Sequence, residues 1–469
     1  MTPIPEQNIT LTICNRTSIQ WQWIDSNDTL PSEKGFKSIA AEAKVTIACS
    51  LQSNAQLLAT LRCNTASNES QQASVVIKLD TSNSFWGYRS CFPRKKASEL
   101  IPNWLKYPVP TNQVSKRPSI ILLYRQSSAK QIDFLILPDI PTSSFLSTLP
   151  DNNLLSQICI PGTHESLARY GWPISTCQSS QSTVQNQLQD GIRYLDVRLV
   201  PKGEPGQIRL LAYHGITDER IEFGAVLTQC WNFLQSEKGK RETIIMSIKQ
   251  ESGDQDEFIR TLFDTYVDQT PTAPSGKSSG RDRWFLENRV PKLGEVRGKI
   301  VMLSRFVIDK SYAFPGGISP PIWPNSFKGV FDYTLPTGQK VITQDWYDIG
   351  SLSQLDTKFS LIEQLSKESR AGDTFALNYT NGSSFPFALP PAVAKGFLDD
   401  GTRTSSSNNI IATQGINIRV LNFVADLHFD SGPKTASTLP GLQVTWAIDY
   451  YDEPKGAQDL IKLLIAANF

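Results

Sequence analysis

The chain contains very little histidine, because its 469 residues include only His164, His214 and His428. It also lacks an excess of charge of one sign, since 46 basic residues are balanced by 45 acidic ones. This balance excludes the usual electrostatic signature of a dedicated nucleic-acid-binding protein. With 39% hydrophobic residues the chain has enough apolar material for sizeable cores, which excludes extensive disorder.

Long hydrophobic segments are absent as well. No apolar run approaches the roughly 20 residues that a membrane-spanning helix requires, so we expect no transmembrane segment. The first residues, Met1–Asn8, lack the basic and apolar regions of a signal peptide. We therefore expect a cytoplasmic or peripheral membrane protein, or a secreted one if a leader has been removed.

Cysteine and glycine patterns exclude two further kinds of site. The seven cysteines include no CxxC pair and no His/Cys cluster with the spacing of metal ligands. Disulfides among Cys14, Cys49, Cys63 and Cys91, or free buried thiols, both fit the pattern. No glycine-rich turn of the dinucleotide-binding type follows a predicted strand.

The sequence pattern changes near residue 145. Residues 1–145 contain short β-rich segments separated by turns rich in Ser, Asn and Pro, which predicts an all-β sandwich domain. Within it, residues 89–130 contain nine basic residues and one acidic residue, Glu99. A surface for membrane or ligand targeting and an ordinary solvated loop both fit this segment. Residues 146–469 alternate apolar strands with helical segments, which predicts an α/β domain with parallel strands.

Ionisable side chains recur at the carboxyl ends of the predicted strands in the second domain. In the strand Arg193–Val200, Asp196 and Arg198 share one face because strand side chains alternate. Charges that converge from many parallel strand ends are typical of the active site of a TIM-type barrel, so we predict a closed or nearly closed barrel. The strand-end residues are His164, Asp196, Arg198, His214, Lys249, Arg305, Asp345 and Tyr347.

Two histidines and an arginine at neighbouring strand ends suit phosphodiester chemistry. A neutral imidazole can remove a proton from a hydroxyl, an imidazolium can protonate a leaving oxygen, and Arg198 can bind phosphate. If the attacking hydroxyl belongs to the substrate, the product is a cyclic phosphodiester. Arg198 beside Asp196 supplies positive charge where a cation would otherwise bind, so we expect neither metal nor cofactor.

Five motifs follow one another in the second domain, namely Ile160–Ser166, Gln187–Arg198, Tyr213–Gly215, Glu242–Lys249 and Arg297–Arg305. In this order they resemble the X domain of phosphatidylinositol-specific phospholipase C, most of all its calcium-independent bacterial form. The resemblance covers about residues 150–469 and implies an irregular TIM barrel. It also implies cleavage of phosphatidylinositol, in a membrane interface, to diacylglycerol and inositol 1,2-cyclic phosphate. We expect the protein to be a monomer.

The resemblance assigns roles to individual residues. It implies that His164 is the general base acting on the inositol 2-hydroxyl and that His214 is the general acid for the leaving group. It further implies that Arg198 binds the phosphate and that Asp196 is a supporting carboxylate. The residues implied to bind the inositol ring are Lys249, Arg305, Asp345 and Tyr347.

Two positions depart from the family pattern. Glu165 replaces the aspartate that normally follows Pro-Gly-Thr-His, and we expect it to keep the pairing with His214. The strand predicted at 418–424 contains Asn422 where bacterial members have an aspartate that orients the base. An asparagine can accept a hydrogen bond from His164 but cannot stabilise imidazolium as a charge does, which predicts a slower enzyme or a displaced pH optimum.

Two other functions fit the same residues. One is a lipid- or inositol-binding module in which Asn422 has impaired turnover, and the other is a different TIM-barrel phosphodiesterase with a magnesium-binding acid cluster. Aromatic residues in Gly/Pro-rich loops are expected around the barrel mouth, where they either enter a bilayer interface or pack in the core: Trp172, Trp323, Phe327, Phe385 and Phe387.

Overall fold

The computed structural model describes residues 6–25, 36–52, 56–63, 73–80, 102–107, 120–128, 130–268, 280–306, 316–369, 374–399, 411–432, 438–454, 457 and 459–469. The chain divides into two compact units. The first unit comprises Met1–Ile140, Asn422–Ala436 and Phe469, and the second comprises Pro141–Leu421 and Ser437–Asn468. Most of the basic segment 89–130 lies outside the described residues.

The first unit consists mainly of β-strands. They are β1 (Glu6–Asn15), β2 (Trp21–Asp25), β3 (Phe36–Ile39), β4 (Lys44–Gln52), β5 (Gln56–Cys63), β6 (Ala73–Asp80), β7 (Leu105–Lys106), β8 (Ile120–Ser128) and β9 (Gln131–Pro138). One sheet has the strand order β4-β1-β9-β8-β7 and the other has the order β3-β2-β5-β6. Among these neighbours β1 and β9 are parallel, and the other pairs are antiparallel.

Both sheets of the first unit contribute to one apolar core. Alternate residues of β1 point into it, as the two-residue period of a strand requires. From the other sheet, Trp23 approaches Phe134 of β9 with 6.1 Å between ring centroids. The described strands therefore have the all-β character that the sequence predicts.

The second unit combines strands with helices. Its strands are β10 (Gly162–Thr163), β11 (Tyr194–Lys202), β12 (Arg209–His214), β13 (Thr217–Glu222), β14 (Ile244–Gln250), β15 (Trp284–Phe285), β16 (Ile300–Arg305), β17 (Val330–Thr334), β18 (Lys340–Gln344), β19 (Thr374–Tyr379), β20 (Gly396–Asp399), β21 (Ile411–Gln414) and β22 (Thr445–Ala447). The α-helices are α1 (Val184–Gln189), α2 (Phe223–Gln235), α3 (Gln255–Thr261), α4 (Leu355–Glu368), α5 (Pro390–Lys395), α6 (Ile416–Asp430) and α7 (Leu460–Ala466), of which α6 extends into the residues of the first unit.

Parallel strands form a continuous series in the second unit. The strands β16, β14, β11 and β10 pair in that order, and β22, β19 and β18 form a second parallel group. Bridges from Ile160 to Thr445 and from Thr163 to Ile448 join the two groups. The carboxyl ends of these strands therefore lie along one edge, as α/β architecture requires.

The short strand β10 fits between its neighbours because it contains Gly162. A Cβ atom at this position would lie 2.4 Å from the Trp446 carbonyl oxygen and 2.5 Å from Tyr194 Cβ. Only glycine allows such a close approach of backbone and neighbouring strands. This contact fixes the chain two residues before His164.

Two features of the chain bear on the expectations from its sequence. Among the described residues, Cys14, Cys159, Cys177 and Cys230 are buried free thiols and Cys49 is also buried, whereas the side chains of Cys63 and Cys91 lie outside the described residues. Within the described part of the chain, no helix is both long enough and apolar enough to cross a bilayer.

Candidate active site

Side chains from several parallel strands converge at one edge of the second unit. Arg198, Lys249 and Arg305 are opposite one another in register on β11, β14 and β16. His164 directly follows β10, and Asp345 directly follows β18. The strand-end pattern of the sequence therefore corresponds to a real cluster.

The ring of His164 is held at both nitrogens and is only 5% exposed. Its Nδ1 donates to Asp449 Oδ1 at 2.8 Å. Its Nε2 accepts from Arg198 Nη2 at 2.9 Å and from Asn381 Nδ2 at 3.1 Å, which selects the tautomer protonated at Nδ1. Burial and the Arg198 charge lower the pKa of His164 well below the usual 6.5. The imidazole is therefore neutral at pH 7, and its Nε2 can accept a proton.

The carboxylate that orients His164 is Asp449, so the prediction of Asn422 for this role is wrong. Asn422 belongs to α6 and not to a strand, and its Oδ1 accepts from the Asn103 backbone N–H at 2.8 Å. The β-branched residues at the start of α6 alternate and imitate a strand, whereas its later buried positions have helical spacing: Leu421, Val424, Ala425 and His428. The expected loss of speed or displaced pH optimum therefore has no basis in Asn422.

We expect Asn422→Ala to lower the free energy of unfolding by about 1 kcal/mol, because it removes the acceptor for a part-buried backbone donor. Turnover and its pH profile should remain those of the parent protein. Denaturant unfolding and pH–rate measurements check the two statements. A displaced pH profile in this variant would return Asn422 to the catalytic site.

Arg198 is a buried cation among carboxylates. Its Nη2 donates to Asp196 Oδ2 at 3.3 Å, and its Nη1 pairs with Glu165 and lies 3.9 Å from Glu251 Oε2. Burial alone would lower the pKa of Arg198, but these carboxylates raise it above its usual value. Its Nε has no hydrogen-bond partner among the described residues. A guanidinium with a free donor is well suited to bind a phosphate.

His214 ends β12 and faces Glu165. Its Nδ1 donates to the Ser175 carbonyl oxygen at 2.8 Å, and its Nε2 lies 3.6 Å from Glu165 Oε1. Glu165 has a φ of 42°, and its backbone N–H donates to Asp196 Oδ2 at 3.2 Å. The structure thus brings together the pair that the sequence predicts, with the longer side chain of glutamate in the place of aspartate.

Arg305 and Asp345, two of the four residues predicted to bind the inositol ring, lie together in the cluster. Arg305 lies 3.5 Å from both Asp196 Oδ1 and Asp345 Oδ2, and its guanidinium covers the Trp323 ring at 3.9 Å from the centroid. Trp323 Nε1 donates to Asp345 at 2.9 Å. Arg305 and Asp345 together provide donors and acceptors of the kind that bind a polyhydroxylated ring.

Lys249 and Tyr347, the other two residues predicted to bind the inositol ring, have fewer contacts with the cluster. Lys249 Nζ donates to Glu251 Oε2 at 2.8 Å. The Tyr347 hydroxyl donates to Asn325, which is not one of the predicted site residues. Tyr347 lies close to the charges of Asp345 and Arg198. Within the described part of the chain it forms no hydrogen bond to another predicted site residue.

Sequence reasoning missed Asp449, Asn381 and Glu251, and it placed Trp323 only among the aromatic residues expected around the barrel mouth. Asp449 could have been found from the sequence, because it follows the apolar strand β22 as the other site residues follow their strands. Glu251 could have been found in the same way, because it follows Lys249 by two residues and therefore lies on the same face of an extended chain. Asn381 and Trp323 lie in loops, where no periodicity points to the site.

One group of potential metal ligands occurs within the described ranges: His164, Cys177 and Asp449, whose ligand atoms all lie within 4.8 Å of one another. The near oxygen of Asp449 already binds His164 Nδ1, and Arg198 brings positive charge to Nε2. Burial raises the pKa of the Cys177 thiol well above its usual value, so this ligand is protonated. The donor set therefore does not favour a divalent cation.

The chain is similar to known proteins in this region. Residues 173–306 match the family model described as phosphatidylinositol-specific phospholipase C, X domain. The 1-phosphatidylinositol phosphodiesterase of Listeria monocytogenes is 30% identical over 257 residues, which are 53% of this chain and 71% of that protein. The Staphylococcus aureus protein of the same name is 25% identical over 169 residues, which are 34% of this chain and 50% of its own length.

A solved structure indicates the same fold. A phosphatidylinositol-specific phospholipase C from Staphylococcus aureus aligns with a TM-score of 0.52 and 18% identity, covering 70% of this chain and 98% of that one. The ordered motifs, the family model and the Listeria relative agree with one another. The chain belongs to the phosphatidylinositol-specific phospholipase C family.

Proposed function

We propose that this chain cleaves phosphatidylinositol to diacylglycerol and inositol 1,2-cyclic phosphate, with His164 and His214 as base and acid and without a metal ion. The geometry at His164 carries the proposal. Its Nδ1–H donates to Asp449, and its unprotonated Nε2 accepts a hydrogen bond from the Arg198 guanidinium. Membership of the family supports the reaction class.

In the first step His164 acts as the general base. Its Nε2 takes the proton of the inositol 2-hydroxyl while the hydroxyl oxygen forms a new bond to phosphorus. Asp449 stabilises the imidazolium that results, because it already accepts the hydrogen bond from Nδ1. The attacking oxygen and the phosphorus belong to one molecule, so the step has the advantage of proximity.

Arg198 binds the phosphate and offsets the charge that develops on it. In the free site its Nη2 donates to His164 Nε2, and a phosphate oxygen is a stronger acceptor that can draw this donor away. Asp196 holds the guanidinium in place from the other side, at 3.3 Å. Binding of the phosphate thus uncovers the nitrogen that the reaction needs.

His214 is the general acid for the leaving group. Because its Nδ1–H is used by the Ser175 carbonyl, the proton that it transfers is the one on Nε2. This proton goes to the diacylglycerol oxygen as the bond between that oxygen and phosphorus breaks. Glu165 is placed to pair with the imidazolium form.

The inositol ring is bound by Lys249, Arg305, Asp345 and Tyr347. Arg305 and Asp345 are 3.5 Å apart and offer a donor and an acceptor to neighbouring ring hydroxyls. Trp323, beneath the Arg305 guanidinium, keeps that side chain in position.

We also propose the architecture that supports this site, with residues 1–145 as a β-sandwich and residues 146–469 as an irregular TIM-type barrel. The apolar core common to both sheets supports the sandwich. For the barrel, Arg305 is the last residue of β16 and Asp345 directly follows β18. The strand β18 lies at one end of the parallel series, and β16 lies next to the other end, where only β15 follows it. The 3.5 Å separation of these two side chains supports a closed or nearly closed barrel. The β-sandwich has a role in membrane or ligand targeting.

Exposed apolar side chains support action at a membrane surface that contains phosphatidylinositol, where we propose that the protein acts as a monomer. Trp172 is 81% exposed and Ile216 is 98% exposed, and Phe385 and Phe387 are each 71% exposed. Apolar residues that remain in water at loop tips favour insertion into a bilayer interface. Trp323 is not one of them, because it belongs to the site.

Turnover of phosphatidylinositol vesicles in EDTA tests the function. We expect release of water-soluble inositol phosphate that chelation does not reduce, because Arg198 supplies the positive charge. His164→Ala and His214→Ala should each reduce it by at least about 10³-fold, since each removes one proton-transfer group. Saturable vesicle binding without release would contradict the enzyme and favour a binding module.

The alternative of an impaired binding module rested on Asn422. Asp449 supplies the acidic group in its place, so nothing in the site favours loss of turnover. The alternative of a magnesium-dependent phosphodiesterase requires stimulation by magnesium, which the same vesicle measurement detects.

A further inference from the structure

Asn381 contacts the nitrogen of His164 that the reaction uses. It lies in the loop after β19, is 4% exposed, and its Nδ2 donates to His164 Nε2 at 3.1 Å. Its Oδ1 is buried and has no hydrogen-bond partner among the described residues. Buried polar atoms are normally paired, and this oxygen is one of those that are not.

The environment of His164 Nε2 consists of donors. Arg198 Nη2 donates from 2.9 Å and Asn381 Nδ2 from 3.1 Å, while the nearest carboxylate oxygen, Asp196 Oδ2, lies 4.0 Å away. A protonated Nε2 would face two N–H groups without an acceptor. The arrangement therefore stabilises the neutral ring, which is the form that a base requires.

The two donors differ in what happens to them when substrate binds. When substrate binds, Arg198 Nη2 can leave His164 Nε2 and donate to a phosphate oxygen instead. Asn381 is neutral and has no such partner, and its unpaired Oδ1 means that the amide can turn without breaking another hydrogen bond. The hydroxyl that replaces it at Nε2 arrives within reach of the same N–H group.

We propose that Asn381 is a positioning residue for the attacking hydroxyl, an inference that rests on the proposed function. In the free site its N–H keeps Nε2 unprotonated. When the inositol 2-hydroxyl donates its proton to Nε2, the Asn381 N–H donates to the hydroxyl oxygen and directs its lone pair towards phosphorus. The proton moves from oxygen to Nε2, the oxygen–phosphorus bond forms, and Asn381 gains or loses no proton.

Asn381→Asp is the most direct test, because it keeps the shape of the side chain but replaces the donor with an acceptor. A carboxylate beside Nε2 favours imidazolium, so the acidic limb of the kcat/KM profile should move to higher pH by about one unit or more. The kcat should fall about 10- to 100-fold with KM little changed, because the lost hydrogen bond acts on the reacting hydroxyl. Asn381→Ala should give a similar loss in kcat and a smaller shift.

Asn378→Ala is the matched control. Asn378 is an equally buried amide three residues earlier, but it bonds to Gln344 and to the Ile362 carbonyl. Its removal should reduce stability and leave the acidic limb where it is. A merely structural role of Asn381 predicts the same result for both positions.

The pKa of His164 can also be measured without turnover. The chain has only three histidines, so selective ¹⁵N-histidine labelling gives few imidazole signals to assign. We expect His164 of the substrate-free protein to carry its proton on Nδ1, and its pKa to rise in Asn381→Asp. The other charged groups around the ring remain in place: Asp449, Asp196, Arg198, His214, Arg305 and Lys358.

The two readouts separate the two proposals. An unchanged pKa of His164 in Asn381→Asp, or an unchanged acidic limb, overturns the role of Asn381 even if phosphatidylinositol is cleaved. If the parent protein releases no inositol phosphate, the proposed function fails, and the attack-directing role of Asn381 fails with it. If Asn381→Asp does not fold, Asn381→Ala decides by the same criteria.

Discussion

Asp449→Asn is expected to reduce kcat on phosphatidylinositol vesicles by about 10³- to 10⁴-fold. The carboxylate accepts the Nδ1–H of His164 at 2.8 Å and thereby keeps Nε2 free of a proton. An asparagine in this position can present its NH2 group to Nδ1, which stabilises the opposite tautomer with the proton on Nε2. Such a ring cannot act as a base, and the imidazolium would have no charge partner.

The matched control for this substitution is Asp452→Asn. Asp452 lies three residues further along the chain and accepts from the hydroxyls of Ser179 and Ser182. An amide oxygen can accept the same bonds, so we expect turnover close to that of the parent protein. Thermal unfolding of both variants separates loss of fold from loss of chemistry. An Asp449→Asn enzyme with a kcat within tenfold of the parent would contradict the assigned role.

The second large effect is expected at Arg198, where charge and geometry can be separated. Arg198→Lys keeps the positive charge but loses the fork that spans Asp196, Glu165 and His164, whereas Arg198→Gln loses both. We expect each variant to reduce kcat by about 10²- to 10³-fold, since a phosphate-binding donor is lost or displaced.

Only one of the two variants should displace the pH profile. A cation beside a histidine disfavours imidazolium, and burial together with the Arg198 charge holds the pKa of His164 well below 6.5. The parent acidic limb should therefore lie below pH 6.5, because activity falls only when the base becomes protonated. Removal of the charge in Arg198→Gln raises the pKa of His164 and moves the limb to higher pH. Arg198→Lys should leave it in place, and a shift in Lys but not in Gln would contradict the electrostatic explanation.

The part of the site that could be predicted from sequence is the part that depends on local geometry. Asp196 and Arg198 share a strand face because of the two-residue period, and the strand pairing then aligns Arg198 with Lys249 and Arg305. His164 and His214 follow their strands in short motifs. In each case the residues that matter lie within a few positions of a recognisable strand end.

Other parts depend on contacts between distant segments. His164 and Asp449 are 285 positions apart and meet only because β10 lies beside the extension of β22. In α6 the alternating Ile416, Ile418 and Val420 fit a strand as well as a helix, so the local pattern favoured the wrong element and the wrong partner for His164. Asn381 is positioned by a loop that has no period at all.

A ³¹P NMR time course of phosphatidylinositol vesicles in EDTA tests metal-free acid–base catalysis by His164 and His214 most directly. If a hydroxyl of the substrate attacks the phosphate, the cyclic phosphodiester must be the first water-soluble phosphorus product, and it must be absent in His164→Ala. Direct appearance of acyclic inositol phosphate in the parent protein, or turnover only after magnesium or calcium is added, would contradict the mechanism.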